Sequence, residues 1–177
     1  TVDAHLHWVS SIGEVFPEIE ADNLLAAKAI AHFAAAQGHG RETIVLGPDE
    51  ESIQWVCQLA DELGASYMVG HKIRRGDRDV EIEFPDDPEV AGNPVLVVDD
   101  IVSSGGTILS AVAAMRKRGA ASIHVAITHA LFDKAVEEKI LSAGAKAVWS
   151  TTSVPHGTNA ISLAGILADI LRRELNE

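Results

Sequence analysis

Carboxylate, hydroxyl and glycine residues, which are types that can bind small polar ligands, are concentrated in one short stretch in the middle of the chain. An apolar run at 95–98 reads as a strand buried on both faces, and two carboxylates, Asp99 and Asp100, end it. Segment 108–118 returns to helical spacing, so the stretch reads as a strand, a loop and a helix. The loop contains hydroxyl and glycine residues, namely Ser103, Ser104, Gly105, Gly106 and Thr107.

The residue types of this loop indicate what it could bind. The two glycines permit positive φ and close approach, so successive N–H groups can converge on a phosphate, and the hydroxyls add donors beside it. Asp99 and Asp100 cannot hold that phosphate, because ionised carboxylates only accept hydrogen bonds; they suit sugar hydroxyls or a hydrated Mg²⁺. A phosphorylated ribose satisfies both halves. The alternative is an ordinary strand-to-helix connection with a serine N-cap. The pattern matches neither a Walker loop nor the dinucleotide fingerprint.

The composition indicates one α/β domain. The chain has 177 residues, of which 47% are hydrophobic and 5% aromatic, which is enough for a single well-buried core. A formal net charge of −12 argues against nucleic acid or an anionic membrane as a partner. Phosphorylated small molecules remain compatible where Mg²⁺ and local basic residues reverse the field. No apolar run reaches the ~18 residues of a membrane span and no signal peptide is visible, so we expect a cytoplasmic location.

The first seven residues form a second candidate site. They alternate between polar and apolar side chains, which predicts a strand with Asp3, His5 and His7 on one face. This arrangement suits a divalent ion or a proton donor beside a nucleotide. The alternative is a solvated edge strand.

Two further segments carry charge next to predicted strands. Asp49 follows the strand at 43–46 and precedes a helix from about 51 to 63, with Ile53 among its inward positions; local chemistry favours Asp49 as the cap of this helix. Lys72 and Arg74 lie on the same side of a cationic segment, 71–78. Such a segment could stabilise a transferring pyrophosphoryl group, and the alternative is a solvated turn between strands.

The order of elements predicts the fold class. Strands near residues 43, 66, 95, 122 and 147 alternate with helices, which predicts a parallel sheet with helices on both faces. Segment 80–84 alternates as the returning arm of a hairpin inserted before the central strand. Segments 8–22 and 151–159 are predicted to be loops, and 161–175 a final amphipathic helix.

Four motifs resemble those of the ribose-phosphate pyrophosphokinases (phosphoribosyl pyrophosphate synthetases) and occur in the same order. They are Thr1-Val2-Asp3-x-His5, Gly47-Pro48-Asp49, Lys72-x-Arg74, and Asp99-Asp100 followed by Gly105-Gly106-Thr107. The last motif is also found in type I phosphoribosyltransferases. The resemblance implies the type I phosphoribosyltransferase α/β fold with an inserted flexible hairpin.

The resemblance also implies roles for individual residues. His5 would help to bind Mg²⁺ and the ATP phosphates, Asp49 would lie near the metal, and Lys72 and Arg74 would stabilise the transition state. Ribose 5-phosphate would be held by Asp99, Asp100, Ser103, Ser104, Gly105, Gly106 and Thr107. Glu50 and Glu51 depart from the small residues usual after the aspartate, and would repel a phosphate unless they point away. His129 lies in a Thr-His segment that carries no agreed chemical role.

The implied reaction is Mg²⁺-dependent transfer of the β,γ-pyrophosphoryl group of ATP to the anomeric hydroxyl of ribose 5-phosphate. Family members have two similar domains, so we expect residues 1–20 to be the remnant of a preceding domain and 21–177 to be a C-terminal domain that is poorly active alone. They also oligomerise, so we expect a homo-oligomer. The alternatives are a type I phosphoribosyltransferase and a catalytically silent regulatory subunit of a synthetase complex.

Overall fold

The computed structural model describes residues 1–6, 9, 11–74 and 80–176. His7 lies outside this part of the chain, and for Lys72 and Arg74 the description covers the backbone. In chain order the elements are α1 (Ile12–Val15), α2 (Ala27–Ala36), β1 (Ile44–Gly47), a 3₁₀ turn (Glu50–Ser52), α3 (Ile53–Leu63), β2 (Ser66–Val69), β3 (His71–Arg74), β4 (Val80–Glu83), β5 (Pro94–Val102), α4 (Gly106–Lys117), β6 (Ser122–Ala130), α5 (Lys134–Ala143), β7 (Ala147–Thr151), β8 (Asn159–Ile161) and α6 (Ala164–Asn176).

The core is a six-stranded sheet in the order β2-β1-β5-β6-β7-β8, and each neighbouring pair within it is parallel. Two apolar layers cover its faces. One layer includes Val95 and Val97 of β5 together with α4 and α5, and the other includes Leu96 and Val98 together with α2 and α3. The central strand is therefore buried on both faces, as its unbroken apolar run predicts. The predicted parallel α/β sheet is confirmed.

The inserted hairpin is also present. β3 and β4 pair antiparallel, with His71 opposite Glu83 and Arg74 opposite Val80. The hairpin begins directly after β2. At this point Gly70 donates its N–H to the Gly47 carbonyl at 2.9 Å, which holds the start of the hairpin beside the end of β1. A Cβ at Gly70 would lie 2.5 Å from the Pro48 carbonyl oxygen, so glycine is what permits this close passage.

Three predicted elements differ from the structure near the candidate site. Residues 1–6 do not form a strand: Val2 makes one isolated bridge to Leu24, and Asp3 has φ +41°, which breaks the alternation. β5 continues to Val102, so Asp99 and Asp100 lie within the strand instead of after it. Ile53 is 40% exposed, not inward, because the 3₁₀ turn before α3 changes the rotational phase of the helix.

Two short elements were not predicted. α1 occupies one turn within the predicted loop 8–22, and β8 takes Ile161 from the predicted start of the last helix. In the part of the chain that the structure describes, no helix combines the length and apolar character needed to cross a bilayer.

Candidate sugar phosphate and nucleotide site

A hollow forms where β5 ends and α4 begins. It has a volume of about 150 Å³ and is lined by Asp99 and by residues 101–108. Gly105 lies in the left-handed region with φ +75°, and a Cβ there would lie 2.5 Å from Cγ1 of Val136. The second glycine has open space instead, since the nearest atom to a Cβ at Gly106 is Ser104 Oγ at 3.9 Å. The turn therefore depends on Gly105, and Gly106 leaves the mouth of the hollow open.

The backbone N–H groups around the hollow are available to a ligand. Helix α4 starts at Gly106, and its N-cap, Gly105, has no side chain to accept a hydrogen bond. No protein acceptor within the described residues takes up the N–H groups of residues 103–107. A helix N-terminus with unsatisfied N–H groups carries a partial positive charge, so the hollow favours an anion.

The two carboxylates predicted to act together lie on opposite faces of β5. Asp99 lines the hollow of the loop, whereas Asp100 lines a second and larger cavity. The split follows from the length of the strand, because neighbouring residues of a strand project to opposite faces. Asp99 accepts a hydrogen bond from the N–H of Asp100 at 3.1 Å, and Asp100 accepts one from the N–H of Ile101 at 2.7 Å. The backbone thus fixes both carboxylates.

His5 is in contact with Asp100. Its Nδ1 lies 2.6 Å from Asp100 Oδ2, and the side chains are 32% and 7% exposed, respectively. Both line the larger cavity, of about 710 Å³, whose other walls include Asn23, Glu51 and Trp55. The sequence offered both residues as separate candidates, and the structure brings them together across 95 residues of chain. A buried carboxylate beside an imidazole accepts a hydrogen bond from the ring and orients it.

Asp3, predicted on the same face as His5, is instead buried beneath it. Its Oδ2 accepts a hydrogen bond from Thr128 Oγ1 at 2.8 Å, and its Oδ1 accepts one from the N–H of Ala26 at 3.1 Å. Burial raises the pKa of Asp3, and the neighbouring Asp100 raises it further. The two hydrogen bonds and His129 act in the opposite direction but do not cancel the effect of burial. Sequence reasoning missed Thr128, since a threonine at the end of a buried strand gives no signal of its own.

The loop after β1 places its acidic residues in different directions. Asp49 accepts a hydrogen bond from the N–H of Glu51 at 3.2 Å and caps the 3₁₀ turn, which is the local interpretation of its chemistry. Glu50 pairs with His71 Nδ1 at 2.7 Å, at the base of the hairpin, and Glu51 lines the larger cavity. Within the described ranges, no three residues among the histidines, cysteines and acids form a group that could hold a metal ion by themselves.

A separate group of histidines lies near the amino ends of the strands. His39 Nδ1 is 3.2 Å from Thr43 Oγ1, and its Nε2 is 3.1 Å from Nδ1 of His124, whose ring stacks on Trp149 at 4.8 Å. Burial lowers the pKa of His39 to about 4, with a smaller contribution from the neighbouring His124. Burial also lowers the pKa of His124, with a smaller contribution from Lys146. This group was not predicted, because its members are far apart in the sequence.

Comparison with known proteins decides the family. The model of the phosphoribosyl transferase domain matches residues 19–171. The chain belongs to this family. Among curated relatives, the ribose-phosphate pyrophosphokinase of Thermoplasma acidophilum is 34% identical over 172 residues, which is 97% of this chain and 57% of that protein. That of Methanopyrus kandleri is 31% identical over 152 residues, 86% of this chain and 52% of that protein. The chain thus spans little more than half the length of the curated relatives it matches.

Solved structures agree with the family fold. A phosphoribosylpyrophosphate synthetase from Mycobacterium smegmatis superimposes with a TM-score of 0.79 at 24% identity, covering 99% of this chain and 57% of that one. This confirms the phosphoribosyltransferase type of α/β fold that the motifs implied.

Proposed function

We propose that this chain is the C-terminal, phosphoribosyltransferase-like part of a ribose-phosphate pyrophosphokinase. The reaction is transfer of the β,γ-pyrophosphoryl group of ATP to the anomeric hydroxyl of ribose 5-phosphate, giving phosphoribosyl pyrophosphate and AMP. The observation that carries the proposal is the pair of adjacent hollows at the end of β5, one lined by unsatisfied N–H groups and the other by the His5–Asp100 contact.

Ribose 5-phosphate fits the smaller hollow. The N–H groups of residues 103–107 would hold its phosphate, helped by the hydroxyl groups of Ser103, Ser104 and Thr107. Asp99 lines the same hollow and can accept hydrogen bonds from the ribose hydroxyls. Asp100 contributes from the other face, where it supports His5. The sugar would thereby be held in the smaller hollow, next to Asp99.

The larger cavity suits the polyphosphate of ATP. The residues present fit Mg²⁺, because Asp100 offers carboxylate oxygens in this cavity and the ion commonly takes one or two protein carboxylates together with substrate phosphates. The ion would neutralise phosphate charge in an acidic chain. His5, and Asp49 in the loop after β1, are the other residues we assign to its surroundings. In the described residues the protein donors are too few to hold the ion alone, so we expect it to bind with ATP.

Lys72 and Arg74 supply the cationic charge that the reaction needs. Their strand, β3, begins beside the loop after β1, since Gly70 bonds to Gly47 and His71 contacts Glu50. Glu50 is thereby directed to His71 at the base of the hairpin. Positive groups arriving with the transferring pyrophosphoryl group stabilise the transition state, and no covalent intermediate is required.

We extend the proposal to the organisation of the protein. Residues 1–20 would link to a preceding domain that completes the ATP site, 21–177 would form the C-terminal domain, and the complete protein would be a homo-oligomer. The longer curated relatives, of which the matched region covers 52% and 57%, support that reading. The segment before α2 favours a synthetase over a transferase, because it brings His5 to Asp100 where a transferase would need a nucleobase-binding hood.

Formation of AMP tests the proposal. This chain, and the same chain extended by the upstream reading frame, are incubated with ATP, ribose 5-phosphate and Mg²⁺, and AMP is measured by chromatography. We expect turnover by the extended protein, little by the isolated chain, and loss of turnover with EDTA. Lys72→Ala should lower kcat by about 10² to 10³, as for removal of one transition-state donor. Absence of AMP from the extended protein would favour a silent subunit, and product formation that requires a nucleobase would favour a transferase.

A further inference from the structure

We propose that His129 is a positioning residue that, together with Thr128 and Asp3, holds His5 against Asp100. This inference rests on the proposed function for its consequence in catalysis, but the positioning itself is a property of the unliganded chain. It gives a role to a histidine for which neither the motif nor the proposed reaction has one.

The segment that carries His5 lacks the support of a sheet. Between residues 1 and 5, regular pairing is limited to the single bridge from Val2 to Leu24. Asp3 has φ +41°, a conformation that a side chain disfavours unless its surroundings impose it. His5 follows two residues later, so its position depends on what fixes the turn at Asp3.

Two strand residues of β6 fix this turn. Thr128 Oγ1 donates to Asp3 Oδ2 at 2.8 Å, and His129 Nε2 lies 3.1 Å from the Asp3 carbonyl oxygen. Thr128 is 2% exposed and Asp3 is 6% exposed, so these contacts are shielded from water. Both the side chain and the backbone of Asp3 are therefore held from the same neighbouring strand.

Hydrogen bonds at both ring nitrogens also orient His129. Nε2 faces a carbonyl, which only accepts, so Nε2 must carry hydrogen. Nδ1 lies 2.9 Å from Ser153 Oγ, and Ser153 Oγ lies 2.7 Å from the Thr128 carbonyl. The ring is therefore held between the turn at Asp3 and the Ser153 hydroxyl.

His129 and His5 lie at the two ends of a chain of interacting side chains. Asp3 faces His129 directly, and Asp100, which interacts with Asp3, is paired in turn with His5. The two carboxylates thus lie between the two imidazoles and connect β6 to β5 through the N-terminal segment.

Nitrogen NMR of the unliganded chain tests the inference independently of activity. With ¹⁵N-labelled histidine at pH 7, we expect Nε2 of His129 to carry hydrogen, as its contact with the Asp3 carbonyl requires; an Nε2 without hydrogen would overturn the inference. His129→Leu should shift the ring signals of His5, whereas His129→Gln, whose amide can still donate to the Asp3 carbonyl, should restore much of the original spectrum. An unchanged His5 spectrum in the leucine variant would also overturn it.

Two further variants protect the test against misfolding. His156→Gln is the matched control, because His156 also contacts a carbonyl, that of Phe132 at 2.8 Å, but outside this network; it should leave the His5 signals unchanged. Ser153→Ala removes the partner of Nδ1 and keeps the Nε2 contact, so Nε2 should keep its hydrogen and the His5 signals should stay in place, a result that can be measured even if the leucine variant fails to fold. Loss of the Nε2 hydrogen in Ser153→Ala would contradict the hydrogen-bond argument.

Kinetics then separate this inference from the proposed function. In the extended, active protein, His129→Leu should lower kcat about tenfold to a hundredfold, as removal of a supporting contact does, with the KM for ribose 5-phosphate little changed because the phosphate lies in the other hollow. His5 signals that move in a chain without pyrophosphokinase activity would uphold the positioning role and refute the proposed function. A raised KM with unchanged kcat would refute the positioning role alone.

Discussion

Histidines at the two edges of the sheet have different partners. At the carboxyl edge, His5 contacts the carboxylate of Asp100 at 2.6 Å. At the amino edge, His39 contacts a second imidazole, that of His124, at 3.1 Å, and the pair packs against Trp149. The carboxylate partner of His5 can accept a hydrogen bond from the ring. Burial lowers the pKa of both imidazoles at the amino edge.

The comparison shows that residue type alone does not predict which histidine lines a cavity and which is occupied by contacts within the fold. His39 is the more buried residue, but its polar atoms are occupied by the fold and its packing is aromatic. His5 is more exposed and lines a cavity of about 710 Å³. Chemistry is therefore expected at the edge where a carboxylate, a cavity and a helix N-terminus coincide, as is general for parallel α/β sheets.

The largest expected effect comes from Gly105→Ala, which would break the carboxyl edge itself. Positive φ costs roughly 1–2 kcal/mol in a residue with a side chain, and the clash with Val136 adds about 1–3 kcal/mol. We expect chemical denaturation to show that the free energy of unfolding falls by about 3 kcal/mol. Gly106→Ala is the control, because its Cβ meets open space. Its free energy of unfolding should lie within about 0.5 kcal/mol of that of the parent chain. Equal effects of the two would contradict the described turn.

The next largest effect is on activity. Asp100→Asn keeps the size of the side chain and its contact with the N–H of Ile101, but removes the charge beside His5. We expect kcat of the active, extended protein to fall about a hundredfold, at the upper end of the range for a supporting contact. His124→Gln, at the opposite edge, should leave kcat within about twofold. A strong effect of His124→Gln on kcat would remove the contrast between the edges.

The amino edge should dominate a loss of stability in mild acid. The pKa of His39 is lowered from 6.5 to about 4 in the folded chain, so between these pH values the unfolded chain binds more protons. The stability from the neutral ring is present above pH 6.5 and is lost as the pH falls towards 4. Allowing for partial solvent screening, we expect the free energy of unfolding to fall by about 2 kcal/mol over this pH range. His39→Gln should flatten the dependence in denaturation curves recorded between pH 7 and 4; an equally steep loss would assign it to other groups.

The smallest expected effect lies in the wall of the phosphate hollow. Asp133 caps α5 by accepting the N–H of Val136 at 3.0 Å, and Val136 is the residue that packs against Gly105. Asp133→Ala should cost about 1 kcal/mol of stability, as for a lost helix cap. Affinity for ribose 5-phosphate, measured calorimetrically, should change less than about threefold. A larger change would mean that the cap shapes the hollow directly.

The sequence was sufficient for the parts of the fold that local patterns determine. An unbroken apolar run predicts a strand buried on both faces, and the alternation of strands and helices predicts the parallel sheet. The loop at 103–107 was predictable because glycine and hydroxyl residues before a helix have few other uses. The capping role of Asp49 follows in the same way from residues two positions apart.

The rest depends on contacts that are distant in the chain. The alternation at residues 1–7 predicts a strand, but the hydrogen bonds of Asp3 to Ala26 and Thr128 impose a turn instead. The pairing of Asp99 with the loop and of Asp100 with His5 depends on where β5 ends, and strand ends are poorly determined by propensity. Ile53 became exposed because a single 3₁₀ turn rotates the face of the following helix.

The most direct test of the account is a titration of the ¹⁵N-labelled chain with ribose 5-phosphate, followed by backbone amide shifts. The account predicts that the largest shifts fall on residues 103–107, that ribose without phosphate fails to produce them, and that the amides around Thr43 and His124 stay unchanged. Shifts centred on the amino edge, or no shifts at residues 103–107 at millimolar ribose 5-phosphate, would contradict it.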